Sequence, residues 1–163
     1  MADEPRADRP ALPAGYLEPK RLPWNWARRR LERSRNYWIA TVTPAGRPHC
    51  RPYWAVWLDG ALYFSTGSRI RRHLEASPEA CVHLESGDET VILEGVAAEV
   101  RDEALLRRVA AAYNAKYGWD MEPEPGEFLA IRPRVGFGWA CDGSGEDRGA
   151  LYAASATRWT FPA

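Results

Sequence analysis

The sequence predicts a mainly β fold, an antiparallel barrel of six to seven strands with a few helices at its ends. Three observations predict it. The hydrophobic period changes from helical to alternating after Arg35, tight-turn sequences separate consecutive β-branched and aromatic runs, and helical segments interrupt the strands without a repeating strand-helix-strand order. A length of 163 residues with 45% hydrophobic content fits one domain with a substantial core.

The first 23 residues predict a tail or a strap on the domain. They contain five of the 13 prolines, Pro5, Pro10, Pro13, Pro19 and Pro23, and they alternate acids with arginine. Such a composition buries too little apolar surface to offset its ordering entropy. We therefore divide the chain into a flexible N-terminal tail, residues 1–23, and one domain, residues 24–163.

The domain begins with a predicted helix over 24–35, in which Trp24, Ala27 and Leu31 form one apolar stripe. An antiparallel meander follows, with strands at 36–43, 47–57 and 61–66 and turns at Pro44-Ala45-Gly46 and Asp59-Gly60. In the second of these strands both faces are apolar, as expected of a barrel strand that a partner subunit or a ligand covers.

The rest of the chain predicts two helices and several extended segments. Ser68 is suited to cap the first helix, and Asp102 and Gly118 are suited to begin and end the second. The predicted elements are a helix at 69–76, strands at 80–85 and 90–100, a helix at 103–117, two short strands on either side of Arg132-Pro133-Arg134, a mobile loop at 142–149 and an extended segment at 157–161.

Charge and composition exclude several functions. Lys and Arg total 22, and Asp and Glu total 22, a balance that argues against a dedicated nucleic-acid or membrane binder. No apolar run approaches the length of a membrane span and no secretory signal is visible, so we expect a cytoplasmic protein. The three cysteines and three histidines lack metal-site spacing, and we expect no metal.

Aromatic residues are unusually distributed, with eight Trp and seven Tyr against four Phe. Trp and Tyr combine a large flat apolar face with a polar group, so their excess reflects either core packing or a flat ligand. We expect Trp24 and Trp38 in the core.

The segment from Phe64 to Arg72 is the strongest candidate for chemistry. It places the end of a strand, two hydroxyls, a glycine and three arginines at the start of a helix. Free amides, hydroxyls and cations at a helix start suit a phosphate, although a capped surface helix with solvated arginines has the same pattern. Five arginines between residues 28 and 35 either meet an acidic partner or form a solvated helix face.

Three linked segments resemble the pyridoxamine 5′-phosphate oxidase-related proteins. They are Asn36 to His49 (NYWIATVTPAGRPH), Trp57 to Arg69 (WLDGALYFSTGSR) and Ile92 to Gly95 (ILEG). The resemblance extends over about residues 24–161 and implies a split β-barrel of the FMN-binding type, which holds FMN or the deazaflavin F420 between two subunits.

The resemblance also implies positions for cofactor contacts. The phosphate contacts are Ser65, Thr66, Ser68, Arg69 and Arg72. The contacts beside the ring system are Arg51, Pro52, Tyr53, Trp54 and Thr90. Contacts from the partner chain are Trp139, Arg158 and Trp159. Many members have Lys after the Ser-Arg pair where this chain has Ile70, and Arg69, Arg71 and Arg72 are expected to compensate.

The resemblance implies an oxidoreductase that passes a hydride between F420 or FMN and a small organic substrate, in a homodimer. No catalytic side chain is assigned, because the cofactor carries the chemistry. The arginine-rich helix favours F420, whose tail is acidic, whereas FMN needs only the phosphate site. The alternatives are a non-catalytic carrier or sensor of flavin, F420 or haem, a pyridoxamine phosphate oxidase proper, which lacks support because no arginine-rich C-terminal substrate signature is visible, and a structural dimerisation module.

Overall fold

One antiparallel sheet provides most of the structure. The computed structural model describes residues 4–8, 10, 21–67, 69–141 and 148–162. The helices are α1 (Trp24–Arg33), α2 (Ile70–Ala76), α3 (Glu103–Tyr117) and α4 (Arg148–Ser155). The strands are β1 (Arg6–Asp8), β2 (Asn36–Val42), β3 (Pro48–Trp54), β4 (Val56–Leu58), β5 (Ala61–Ser65), β6 (Glu79–His83), β7 (Glu89–Glu99), β8 (Phe128–Ala140) and β9 (Thr157–Thr160).

The strand order produces the predicted barrel. The main path runs β1-β9-β8-β7-β6-β2-β3, and β5 pairs with β4 and with the first part of β8. Because β4 follows β3 directly in sequence, β5 and β3 come together at the split where the barrel closes, and the rings of Tyr53 and Phe64 pack there with centroids 5.4 Å apart. The mainly antiparallel fold with four helices confirms the predicted fold class.

Two hydrophobic clusters stabilise the barrel. The larger one fills its interior with inward-facing residues of eight elements, including Leu31, Ile39, Leu62, Ile70 and Leu93. The second lies outside the barrel wall, where α3 packs Val109 and Tyr113 against Tyr63 and Phe128. A side chain on either face of β5 is therefore buried, and all of Ala61 to Phe64 are.

The two long helices confirm predictions from local signals. Helix α1 buries Trp24, Ala27 and Leu31, the predicted stripe. In α3 the Asp102 carboxylate accepts the N–H of Leu105, and Gly118 follows the helix with φ of 65°. Both caps depend only on neighbouring residues, which explains why sequence periodicity and capping found them.

The predicted strand over 47–57 is wrong as one element, and with it the three-stranded meander. Strand β3 pairs with β2, β4 pairs with β5, and Ala55 separates them. The Tyr117 hydroxyl accepts the N–H of Ala55 at 2.8 Å, and Lys116 donates to the Ala55 carbonyl at 3.0 Å. These bonds replace the ladder bonds that an unbroken strand supplies, and both come from α3, about 60 residues later in the chain.

The two short strands predicted around Pro133 are one strand, β8. Its first part pairs with β5 through Ile131, its last part pairs with β9 from Val135, and β7 follows its whole length. Pro133 lies between the part of β8 that pairs with β5 and the part that pairs with β9, beside the irregularity at Glu94/Gly95. A proline without an N–H is tolerated there because no neighbouring strand on that side needs it.

Parts of both predicted irregular segments form regular structure. Residues Arg6–Asp8 form β1 and pair with β9, so this part of the N-terminal segment lies along the sheet as a strap. The predicted mobile loop at 142–149 lies mostly outside the described residues, and its last two positions begin α4. Within the described ranges, no helix is long and apolar enough to cross a membrane.

Candidate phosphate and ring site

The end of β5 and the start of α2 carry four of the five predicted phosphate contacts, Ser65, Thr66, Arg69 and Arg72, and β3 lies beside them. Alternate residues of a strand share a face, and on β3 one face carries His49, Arg51 and Tyr53. The ring of His49 lies 4.8 Å from the ring of His73 on α2. This face of β3 therefore looks onto α2 and the end of β5.

The electrostatics of His49 show which cations meet here. Desolvation lowers its pKa from the usual value of 6.5, and so do the nearby His73, Arg51 and Arg69. Arg51 lies two positions from His49 on the same face of β3, and Arg69 directly precedes α2, whose His73 contacts His49, so both arginines act on this imidazole although 18 residues separate them in sequence. Among the described residues, no carboxylate is within salt-bridge distance of Arg51, Arg69 or Arg72.

Helix α2 presents its cations because its other face is anchored. Ile70, His73 and Leu74 are buried, whereas Arg69 and Arg72 are exposed. The position at which many family members carry lysine therefore faces the core here, which explains an isoleucine. His73 is fixed further, since its Nδ1 lies 3.2 Å from the Thr41 hydroxyl of β2.

Arg71 does not compensate for the missing lysine, and that expectation is wrong. Its guanidinium donates to the carbonyls of Thr66, Gly126 and Glu127 at 2.6 to 2.7 Å. These bonds fasten the loop before β8 to the end of β5, so Arg71 positions the site. Ser65 and Thr66 end the strand as predicted, while Ser68 lies outside the described residues.

Strand β3 is open on one side. It pairs with β2, and no other strand of the described residues pairs with its second edge. We call His49, Arg51 and Arg69 the cation cluster. Pro52 and Trp54 face away from it, on the outer surface of the sheet. Trp54 stacks on Tyr117 with centroids 4.7 Å apart and an interplanar angle of 4°. The four predicted ring contacts of β3 are thus divided between its two faces.

A half-buried lysine supports this strand and was not found by sequence analysis. Lys116 donates to the Tyr37 hydroxyl at 2.7 Å as well as to Ala55, and the Tyr37 hydroxyl donates to the Leu31 carbonyl. Burial lowers the pKa of Lys116 to about 8. Burial also raises the pKa of Tyr37, and it raises that of Tyr117 to about 12. This cluster holds α1, α3 and the β3-β4 break together.

Thr90 and Trp139 lie at the other end of the sheet, where they pair across β7 and β8. Thr90 is buried, and its hydroxyl donates to the carbonyl of Gly87 at 2.9 Å. The Trp139 indole also donates to Gly87, at 3.2 Å, and packs on Tyr152. Within one chain, Thr90 is three strands from β3, and the structure gives it a role in holding the β6-β7 turn.

The prediction that Trp159 lines a cofactor ring is wrong. Its side chain is fully buried in the barrel core, 5.5 Å from the ring of Trp24, and its indole N–H donates to Leu22. A pattern of alternating aromatic residues does not distinguish a ring that lines a site from one that fills the core. Arg158, its neighbour, is half-buried and donates to Thr160 at 3.0 Å.

The prediction that Trp38 lies in the core is wrong, because its side chain faces outward. It pairs with Pro52 of β3 and His83 of β6, and its ring stacks on that of His83 at 6.1 Å. Ala40 continues this outer face, flanked by Cys50 and Cys81. We call the outward-facing residues of β3, β2 and β6 the outer sheet face; they are Trp38, Ala40, Val42, Cys50, Pro52, Trp54, Cys81 and His83.

The arginines of α1 line a separate groove. It has a volume of about 670 Å³ between α1 and the residues that follow β6, and its lining includes Arg29, Arg30 and Arg33. Arg30 stacks on Trp26 and pairs with Glu89. The groove adjoins the Asn36 end of β2, whereas His49 pairs with Thr41; five residues of strand place them roughly 16 Å apart.

Comparison with known proteins identifies the family. The profile of the family described as Pyridoxamine 5′-phosphate oxidase matches residues 26–140. The chain belongs to the pyridoxamine 5′-phosphate oxidase family. The matched segment contains β3, the end of β5 and the start of α2, so the cation cluster of this family member lies wholly inside it. No curated protein sequence matches the chain.

Solved structures support the split-barrel fold of this family member. A conserved hypothetical protein from Mycobacterium tuberculosis is 23% identical, with a TM-score of 0.62 over 80% of this chain and 90% of that one. A protein named F420 reductase is 20% identical, with a TM-score of 0.53 over 77% and 98%. The haem storage protein HutZ from Vibrio cholerae is 19% identical, with a TM-score of 0.54 over 66% and 87%. At these identities the likeness concerns the fold alone.

Proposed function

We propose that this protein binds the phosphate of FMN or F420 at the cation cluster and transfers a hydride between that cofactor and a small organic substrate. The observation that carries the proposal is the 4.8 Å contact between the rings of His49 and His73, which sets the face of β3 with Arg51 against the helix that begins after Arg69. No carboxylate of the described residues is paired to either arginine. Arginines from different elements that no carboxylate neutralises interact more favourably with a bound anion than with the rest of the chain.

The residues present fit a phosphate on chemical grounds. Arg51 and Arg69 supply guanidinium groups, which match phosphate oxygens with paired N–H donors. Arg72 lies one helical turn beyond Arg69 and adds a third exposed cation. Ser65 and Thr66 end the adjoining strand and offer hydroxyl groups. Arg71 keeps that strand end in place through the Thr66 carbonyl.

The open edge of β3 suits a flat heterocycle. No strand of the described residues pairs with this edge, along which the backbone of a strand provides alternating donors and acceptors. The ring system of a flavin or deazaflavin has complementary groups along one edge. When bound, the cofactor accepts or gives the hydride. Arg51 orients it by its phosphate, and Tyr53, packed on Phe64, excludes water beside the strand. We assign no proton-donating side chain, and solvent supplies the proton.

The choice between F420 and FMN depends on the arginine groove. An acidic tail suits Arg29 and Arg33, for which no carboxylate of the described residues forms an ion pair. The groove lies at the opposite end of β2 from the cation cluster, so F420 must extend along the sheet, or meet α1 of a second subunit, to use both. FMN uses the cluster alone.

A homodimer is part of the proposal. The outer sheet face carries Trp54, which is 37% exposed, and Val42, which is 44% exposed. Among the described residues, Tyr117 of α3 covers its Trp54 end, and the apolar area that stays exposed favours association. In this proposal, a second subunit supplies Trp139 and Arg158 to a cofactor beside β3, as the family resemblance implies.

The alternative function is a carrier or sensor without turnover. One fold relative is named as a haem storage protein. In this chain, His49 and His83 are partly exposed, and histidine is a common axial ligand of haem iron. A pyridoxamine phosphate oxidase proper remains a further alternative, and its substrate needs a second phosphate site beside the cofactor.

Cofactor titration tests these proposals together. Purified protein is titrated with FMN, F420 and haem, and affinity is followed by absorbance and fluorescence. We expect FMN or F420 to bind with a Kd below about 100 μM, equivalent to about 5.5 kcal/mol. Failure of both to bind overturns the proposal, and selective haem binding supports the carrier.

Turnover separates an enzyme from a carrier. The reduced cofactor that binds is mixed with enones, quinones and nitroaromatic compounds, and with pyridoxamine phosphate under oxidising conditions. We expect oxidation of the cofactor by at least one member of the first three classes. Tight binding without any turnover contradicts the enzymatic part of the proposal and leaves a carrier or sensor.

A further inference from the structure

The cation cluster contains a group that changes charge near neutral pH. His49 is partly exposed on β3, and its ring lies edge-on against that of His73 at 4.8 Å. Arg51 lies two residues along the same strand face, and Arg69 comes from the start of α2. The charged or titratable groups that act on His49 are these three, and none of them is a carboxylate.

His73 is held so that it cannot move away from this contact. It is 6% exposed, and its Nδ1 lies 3.2 Å from the Thr41 hydroxyl. Thr41 pairs directly with His49 across β2 and β3. Thr41 therefore links the two imidazoles, since it pairs with His49 through the backbone and contacts His73 through its hydroxyl.

Without an anion, these surroundings favour neutral His49. Desolvation and the positive neighbours lower its pKa, so the ring is largely uncharged at pH 7. A phosphate group bound to Arg51 and Arg69 reverses the local charge. An ordinary imidazole titrates near pH 6.5, so a modest change in local potential is enough to move its charge across neutral pH.

We propose that His49 takes up a proton when a phosphate-bearing cofactor binds and then donates a charged hydrogen bond to the phosphate beside Arg51 and Arg69. This inference rests on the proposed function and adds a residue and a pH dependence to it. The proton comes from solvent, and no other bond changes.

The sign of the pH dependence distinguishes this role from a purely arginine-based site. A higher pKa of His49 in the complex than in the free protein makes binding tighter as pH falls between those two values. Arginine keeps its charge throughout this range. A phosphate monoester itself gains a proton near pH 6, which weakens its attraction to arginine. Arginines alone thus predict unchanged or weaker binding at low pH.

The experiment measures cofactor affinity at pH 8, 7 and 6. The probe is FMN or F420, whichever binds, together with its counterpart that lacks the phosphate group. Wild-type protein is compared with His49→Asn, which keeps a polar group but no titratable ring. Arg107→Gln is the control, because Arg107 lies on the exposed face of α3, outside the proposed phosphate site and the outer sheet face.

For wild type and Arg107→Gln, we expect binding of the phosphate-bearing cofactor to tighten several-fold from pH 8 to pH 6, because one unit of pKa coupling limits the change to about tenfold. For His49→Asn, and for the phosphate-free counterpart, we expect no tightening. NMR titration of the imidazole signals is expected to show the pKa of His49 rising when the cofactor is added.

Two results overturn the inference. Cofactor binding that is unchanged or weaker at pH 6 in wild type, or tightening that persists in His49→Asn, removes the proton uptake from His49 and leaves the proposed function intact. Absence of binding at every pH overturns the proposed function as well.

Discussion

The behaviour of single residues in the cation cluster depends on what each has as a partner. Arg71 and Arg69 are two positions apart on α2, yet Arg71 is engaged with three carbonyls and Arg69 is exposed without an ion pair among the described residues. Their closeness in sequence predicted one role for both arginines. Only the packing of the loop before β8 against Arg71 shows that their roles differ. His49 escaped notice for the same reason, because its neighbours come from α2.

Loss of Arg69 is expected to weaken cofactor binding without unfolding the protein. A hydrogen bond to a charged group contributes about 1.5 to 3 kcal/mol, so Arg69→Gln is expected to raise the Kd of FMN or F420 at least about tenfold. Isothermal titration measures it. Arg107→Gln, on the exposed face of α3, is the control and is expected to leave the Kd unchanged. Equal affinity in Arg69→Gln and wild type contradicts the assignment.

Gly95 is required by the close approach of β7 and β8. A Cβ at this position would lie 2.1 Å from the Arg132 carbonyl oxygen, whereas at Gly87 it would meet nothing within 4 Å. We expect Gly95→Ala to lower the free energy of unfolding by at least about 2 kcal/mol. Gly87→Ala is expected to change it by less than about 0.5 kcal/mol. Urea denaturation, monitored by tryptophan fluorescence, measures the free energy of unfolding of both variants. Similar losses in the two would show that β7 and β8 do not approach closely at Gly95.

At the scale of elements, prediction succeeded where the determinants are local. The caps and apolar stripes of α1 and α3 are within one or two turns of the residues that they order. It failed at Ala55, where α3 supplies the hydrogen bonds that divide β3 from β4, and at Pro133, where β8 changes partners. Both depend on contacts between distant segments, which no local pattern contains.

The Lys116 cluster makes the β3-β4 break sensitive to pH. The pKa of Lys116 is about 8 in the folded protein and 10.5 without the fold. Between these values the unfolded chain binds more protons, so the free energy of unfolding is expected to rise as pH increases from 7 to 9. Above pH 10 the raised pKa values of Tyr37 and Tyr117 reverse the trend, because tyrosines of the unfolded chain ionise first.

Substitution of Lys116 tests this assignment. Lys116→Met keeps an unbranched side chain and removes the titrating amine, so the increase in stability from pH 7 to pH 9 is expected to be smaller than in wild type. Arg107→Met on the exposed face of the same helix is expected to retain the full increase. Thermal unfolding at pH 7, 8 and 9 compares the three proteins. The same dependence of stability on pH in all three would show that Lys116 does not cause the increase.

At the scale of the whole molecule, the outer sheet face is an apolar surface that a single chain leaves largely exposed. Its centre is Ala40, flanked by Cys50 and Cys81 and continuous with Trp38. Sequence alternation indicated that both faces of the strand carrying Trp54 are apolar. It did not indicate which face lies against α2 and which lies outside, because that choice depends on how the sheet closes.

A charged residue on this face is expected to prevent dimerisation. Wild-type protein is expected to have twice the 18.4 kDa mass of one chain in light scattering at micromolar concentration. Ala40→Arg is expected to give the mass of one chain with an unchanged circular dichroism spectrum. Ala111→Arg, on the exposed face of α3, is expected to remain dimeric. A monomeric wild type contradicts the dimer proposal.

The central claim is that the cluster of Arg51, Arg69 and His49 binds the phosphate of a flavin or deazaflavin. Its most direct test is the affinity of wild-type protein for FMN or F420 beside that for the same chromophore without its phosphate group. The account predicts that removing the phosphate raises the Kd by about a hundredfold or more, equivalent to about 2.7 kcal/mol. Equal affinities for the two, or binding of neither, would contradict it.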